Sequence, residues 1–217
     1  MGNFNSKLST HEILESDPWP LNPQLCVQTY DLIDSPKIRH SELVDLTSAQ
    51  PKVLYIVDRK VECGLQLLFK HRLRSNFEIS DYEKVSFATG MISSWNMKPT
   101  MEIHNLTIKP LATVAGVERS SDYIYLSQIL GVTLVWKIHP NPKTGIFTYT
   151  CFNEMDVPIA KYIGVYGAIQ DKITIDAAIA EDQKAMDEFV VVAITLAVRE
   201  KAREHDASAA AAAAGEV

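Results

Sequence analysis

The sequence predicts a mainly β fold, an antiparallel sandwich or barrel of about 12 strands with one hydrophobic C-terminal helix, and three observations predict it. From Leu25 to about Asp176 the chain is a succession of short runs rich in β-branched and aromatic residues, separated by turn chemistry. No helical stretch of the kind a parallel crossover needs lies between those runs, so the strands must pair antiparallel. After Asp176 the composition changes abruptly to a helix whose middle is apolar all round, and such a helix has to be buried.

Residues 1–24 form a distinct, flexible tail. It opens with "MGNFNSKL", an N-myristoylation pattern in which removal of Met1 exposes Gly2 and Ser6 holds the required hydroxyl position. Ser9 and Glu12 have capping-box spacing for a short helix, and Pro18, Pro20 and Pro23 stop it. The predicted strands follow as "CVQTYDLI", "KVLYIVD", "LQLLFKH", "NFEIS", "KVSFATGMI", "TMEIHNLTI", "PLATVAGV", "DYIYLSQIL", "VTLVWKIH", "GIFTYTCF", "VPIAKYIGVYG" and "KITID". The clearest hairpin is Thr133 to Phe152, whose connection "HPNPKTG" carries residues that preset or permit turn dihedrals.

One helix is predicted over 181–206, acidic at its start (Glu181, Asp182, Asp187, Glu188) and basic at its end (Arg199, Lys201, Arg203), the order that complements the helix dipole. Its core, Phe189 to Val198, is apolar except at Thr195. Ten residues cover about 15 Å, half of a bilayer's roughly 30 Å hydrocarbon core, which argues against a membrane span. The β-branched "VVVAI" leaves a strand as the competing reading, and otherwise the helix threads a β-barrel. The Ala-rich residues 207–217 read as a frayed extension or disordered tail.

Bulk properties narrow the function. A chain of 217 residues with 47% hydrophobic and 22% charged residues is globular and long enough for one self-sufficient core. The net charge of -6 offers no general attraction to nucleic acid. Three scattered cysteines, Cys26, Cys63 and Cys151, and the lack of an apolar secretory segment point to reduced thiols in the cytoplasm. The sequon at Asn105 reads as ordinary strand.

Charge is unevenly spread. Residues 37–74 carry a net +4 and residues 154–188 a net -5. The densest basic cluster is "FKHRLR", where Lys70, Arg72 and Arg74 share one side if the segment is a strand. These three, with Lys7 in the tail, are the candidate contacts to anionic lipid headgroups. The competing reading is a solvated strand face or a charged edge.

No P-loop, dinucleotide fingerprint, nucleophile elbow or zincin motif is present. The six histidines, 11, 40, 71, 104, 139 and 205, never fall at i, i+4 ligand spacing, and Cys63 and Cys151 read as core fillers. No catalytic, metal or cofactor residue is therefore assigned.

A resemblance adds to this. Many strands followed by one apolar helix resembles the tubby-like barrel, shared by tubby C-terminal domains, phospholipid scramblases and plant LURP-one-related proteins. Locally, "TLVWKIHPNPKTGIFTYTCFNEMDVPIAKYI" followed by "KITIDAAIAEDQKAMDEFVVVAITLAVREKAR" resembles a fungal domain family of unknown function near that superfamily. The resemblance spans about Leu25 to Arg203 in layout and is specific over Thr133 to Arg203. It implies a closed barrel around the helix and action at membranes or on lipids. It also implies a calcium-binding acidic segment, for which Asp171, Asp176, Glu181 and Asp182 stand in the corresponding stretch, although the calcium-loop pattern is absent.

The leading expectation is thus a non-enzymatic, N-myristoylated peripheral membrane protein that binds anionic lipid or a protein partner. Lipid transfer or scrambling, and an intracellular recognition or scaffold role without a membrane, are the alternatives. A single myristoyl chain holds a membrane only marginally, so a second contact on the folded body is required.

Overall fold

The computed structural model describes residues 27–35, 40–45, 52–64, 72–93, 99–111, 122–141, 144–165 and 170–214. The strands are β1 (Val27–Ser35), β2 (His40–Asp45), β3 (Lys52–Gly64), β4 (Arg72–Asp81), β5 (Ser86–Ser93) and β6 (Pro99–Ile103), then β7 (Leu106–Ile108), β8 (Tyr123–Leu126), β9 (Thr133–Asn141), β10 (Ile146–Phe152), β11 (Pro158–Val165) and β12 (Gln170–Asp176). They pair antiparallel in the order β7-β6-β5-β4-β3-β2-β1-β12-β11-β10-β9-β8. The chain ends of the sheet are thus joined in its middle, where Val27 of β1 lies opposite Asp176 of β12. Its two edges are β7 and β8. Leu111 N, three residues past β7, donates to Ile124 O of β8 at 2.8 Å.

Local chemistry sets the turns. The predicted hairpin forms between β9 and β10, with Ile146 opposite Asn141 and Gly145 in the left-handed region at φ 71°. "TMEIHNLTI" is two strands, not one, because His104 and Asn105 adopt φ 48° and 64° and form a two-residue turn between β6 and β7. Asn105 of the sequon lies in that turn. "DYIYLSQIL" is strand only to Leu126, and then turns at Ser127, whose hydroxyl accepts from Leu130 N. "LQLLFKH" and most of "PLATVAGV" fall outside the described residues.

Two helical elements, one of 5 residues and one of 32, replace the single predicted helix. α1 (Ala177–Glu181) is capped by Asp176, whose carboxylate accepts from Ala178 N at 2.8 Å. The chain breaks at Asp182, whose carboxylate accepts from Lys184 N and Ala185 N and so opens α2 (Gln183–Ala214). α2 continues eight residues beyond the predicted end, through the alanine run. Alanine has the highest helix propensity, and extending an existing helix carries no nucleation penalty.

Residues 185–200 of α2 are buried without interruption. At 1.5 Å per residue this is about 24 Å of helix covered on every side. One core contains Met186, Phe189–Ile194 and Leu196–Val198 of this stretch together with side chains from every strand β2 to β12, such as Leu43, Val57, Ile79, Met101, Tyr125, Trp136 and Ile173. Trp136 packs on Phe189 with ring centres 6.1 Å apart. Alternation appears cleanly in β6, where Met101 and Ile103 are buried and Thr100 and Glu102 exposed. No helix among the described residues is long and apolar enough to cross a membrane.

Two glycines fit rings against this interior. Gly90 lies opposite Phe77 and Gly164 opposite Phe147. A Cβ on Gly90 would stand 1.9 Å from Phe77 Cζ, and one on Gly164 2.2 Å from Phe147 Cζ. Each ring therefore fills the space above its glycine.

Candidate functional site at the start of the long helix

The end of β2, the start of β3, the β4–β5 connection with the first residues of β5, the end of β6 with the His104–Asn105 turn, α1 and the first turns of α2 meet at one end of the sheet. They enclose a cavity of about 800 Å³, a size typical of sites for small organic ligands.

Its floor is a fixed polar network. Asp187, one turn into α2, is only 4% exposed. Its Oδ1 accepts from the Tyr55 hydroxyl and from Gln183 Nε2, both at 2.8 Å, and its Oδ2 lies 2.7 Å from His104 Nε2. Gln183 Nε2 also donates to the Tyr55 hydroxyl at 2.8 Å. His104 stacks on Phe87 at 5.3 Å between ring centres, and Phe87 in turn contacts the Tyr55 ring at 5.6 Å. The backbone holds the left-handed His104 through its N–H to Phe87 O at 2.8 Å. A carboxylate aimed at imidazole Nε2 orients the ring.

The walls are acidic and aromatic. Asp45, Asp81 and Glu102 join Asp187, against the single lysine Lys52. Lys52 Nζ lies 5.6 Å from the centre of the Tyr82 ring. Asp81 shapes the β4–β5 connection by accepting from Glu83 N and Val85 N.

At the end of the buried stretch of α2 a second network ties the helix to the sheet. Asp171 accepts from the Tyr162 hydroxyl and pairs with Lys201 Nζ at 2.6 Å. Arg199 donates to the Tyr149 hydroxyl at 3.2 Å. Burial raises the Tyr149 phenol to about 12, with Arg199 opposing the rise.

Between the two ends lies the buried Glu188, 1% exposed. Loss of solvent raises its carboxyl, while the nearby Ser127 and Tyr125 hydroxyls and the N–H groups of Ile129 and Gln128 pull it partly back. Burial likewise pushes the Cys151 thiol well up, helped by the Glu188 charge, consistent with a core filler.

The residues expected to contact lipid fall differently. Gly2, Lys7 and Lys70 lie outside the described residues, as do the Ser9 to Glu12 cap, Cys26 and the tail as a whole. Arg72 and Arg74 are described as backbone, opposite Gly64 and Glu62 of β3. They stand at the end of β4 away from Asp81 and the cavity, about 30 Å and about 23 Å along the strand, respectively.

The acidic segment implied by resemblance to scramblases does not converge. Asp171 is paired with Lys201, whereas Asp176 and Asp182 cap α1 and α2. Among the described residues no group of three or more His, Cys, Asp or Glu side chains could hold a metal ion.

Sequence reasoning missed the cavity network. Asp187 and Glu188 read only as acids complementing the helix dipole, and the structure buries both. His104 read as an isolated histidine, and its partner is 83 residues away. Compared with known proteins, the chain matches no family model, no curated protein and no solved structure.

Proposed function

We propose that this chain is a non-enzymatic recognition protein built on a closed, tubby-like barrel filled by its own helix, and that it takes its ligand in the cavity at the start of that helix. The observation that carries this is the 800 Å³ recess over a 4%-exposed carboxylate that three side chains hold in place. A floor already rigid before a ligand arrives lowers the ordering cost of binding. Closure of the barrel is supported by the helix burial on every side and by the Leu111 to Ile124 bond beside β7 and β8, the two edges among the described strands. The same filled interior argues against a lipid carried inside the barrel.

Gly2 carries a myristoyl chain in this proposal, on the strength of the N-terminal sequence pattern. The second membrane contact comes from Lys7 and from Lys70, Arg72 and Arg74, which meet anionic headgroups; of these, Arg72 and Arg74 stand at the end of β4 opposite the cavity. The cavity then faces away from the bilayer.

Co-expression with an N-myristoyltransferase followed by intact mass measurement tests the anchor. The wild type gains one acyl chain and Gly2→Ala does not. An unmodified wild type removes the anchor from the proposal.

A further inference from the structure

Resting on the cavity as the ligand site, we propose that its ligand is a small organic cation bearing an alkylammonium group. Asp45, Asp81 and Glu102 on the wall and Asp187 in the floor face a single fixed cation, Lys52. An anion entering this space would meet four carboxylates, and a cation is drawn in by all of them.

Aromatic surface provides the second, independent contribution. Tyr55, Tyr82 and Phe87 line the same cavity. The chain's own alkylammonium, Lys52 Nζ, already stands over the Tyr82 ring, 5.6 Å from its centre. That wall therefore accepts the chemical group proposed for the ligand, through the attraction of a cation to the face of a ring. Tyr82 is 58% exposed, so the ring is open to a ligand that displaces or joins the lysine.

The floor decides how the ammonium is held. Asp187 Oδ1 and Oδ2 are engaged by Tyr55, Gln183 and His104, so the network fixes a carboxylate beneath the cavity. Glu102 is exposed on β6 at the rim, where it can meet a second ammonium on a longer ligand. A ligand with two spaced ammonium groups fits this arrangement better than one with a single charge. The size of the cavity matches a free small molecule rather than a folded domain.

The test uses the full chain and titrates spermidine, observed by calorimetry and by NMR of the His104 and Tyr55 signals. Three comparison probes accompany it: a diol of the same length, inositol hexakisphosphate and a lysine-bearing peptide. Spermidine binds saturably with a Kd below about 1 mM and shifts both signals. Glu102→Gln, on the exposed rim, weakens spermidine about fivefold, whereas Asp156→Asn, an equal charge change outside the cavity, leaves it within about twofold. Asp187→Asn weakens it about tenfold or more.

Equal weakening by Glu102→Gln and Asp156→Asn, or no saturation, overturns the proposal by reducing the effect to general attraction by an acidic protein. Tighter binding of the peptide than of spermidine overturns the small-molecule source. If the diol or the inositol phosphate shifts the His104 and Tyr55 signals and spermidine does not, the cation is wrong and the cavity still stands as a ligand site. If no probe shifts them, both the cation and the cavity reading fail.

Discussion

Asp187→Ala takes the acceptor from three donors at once, and their exposures fix the cost. Tyr55 is 3% exposed, so its hydroxyl cannot turn to water and pays a desolvation penalty of about 1–3 kcal/mol. The His104 side chain is 40% exposed and recovers most of its bond from solvent. Adding the lost charge-assisted bond to Gln183, Asp187→Ala should destabilise by about 2–4 kcal/mol. Asp187→Asn keeps an oxygen for Tyr55 and Gln183 and sheds the buried charge, so it should cost only about 1 kcal/mol. Urea unfolding at neutral pH with matched m-values measures the difference. A variant Ala within about 0.5 kcal/mol of wild type, or an Asn variant as unstable as Ala, would refute a pre-formed floor.

Gly90→Ala and Gly164→Ala push a methyl into the Phe77 and Phe147 rings, and each should lower stability by about 1–3 kcal/mol. Phe77→Leu in the Gly90→Ala background should recover part of that loss in a double-mutant cycle, and simple additivity would deny the ring contact. Burial raises the Glu188 carboxyl above its ordinary 4.5, so the folded chain holds that proton to higher pH than the unfolded chain does. Its contribution is therefore fully present below the unfolded value and is lost as pH rises through the folded one. Glu188→Gln should gain stability relative to wild type at pH 7 and lose that advantage by about pH 4, and a constant difference across this range contradicts the burial. Cys151 should stay unreactive to a thiol reagent until the protein unfolds, and prompt labelling of the native chain at this position would show that its core is open.

Much of the fold is legible in the chain because it rests on local chemistry. The β9–β10 hairpin announces itself by Asn141 and Gly145, and the burial of α2 by an apolar run with no polar stripe. Helix boundaries are less legible, since Asp176 and Asp182 both serve as caps and pattern alone cannot show a break between them. The cavity is not legible at all. Its central contacts join residues 132 and 83 positions apart, and a single tyrosine, histidine or aspartate carries no periodic signal. Asp187 in particular satisfies a local rule, acid near a helix start, that hides its buried role.

The two ends of β4 make opposite demands, with basic residues at one and an acidic cavity at the other. Flotation of the myristoylated chain with liposomes containing anionic lipid compares them directly. Lys70/Arg72/Arg74→Ala should lose most of the bound fraction, and Glu102→Gln should float like the wild type. Equal flotation of all three proteins would contradict a membrane contact at the basic end.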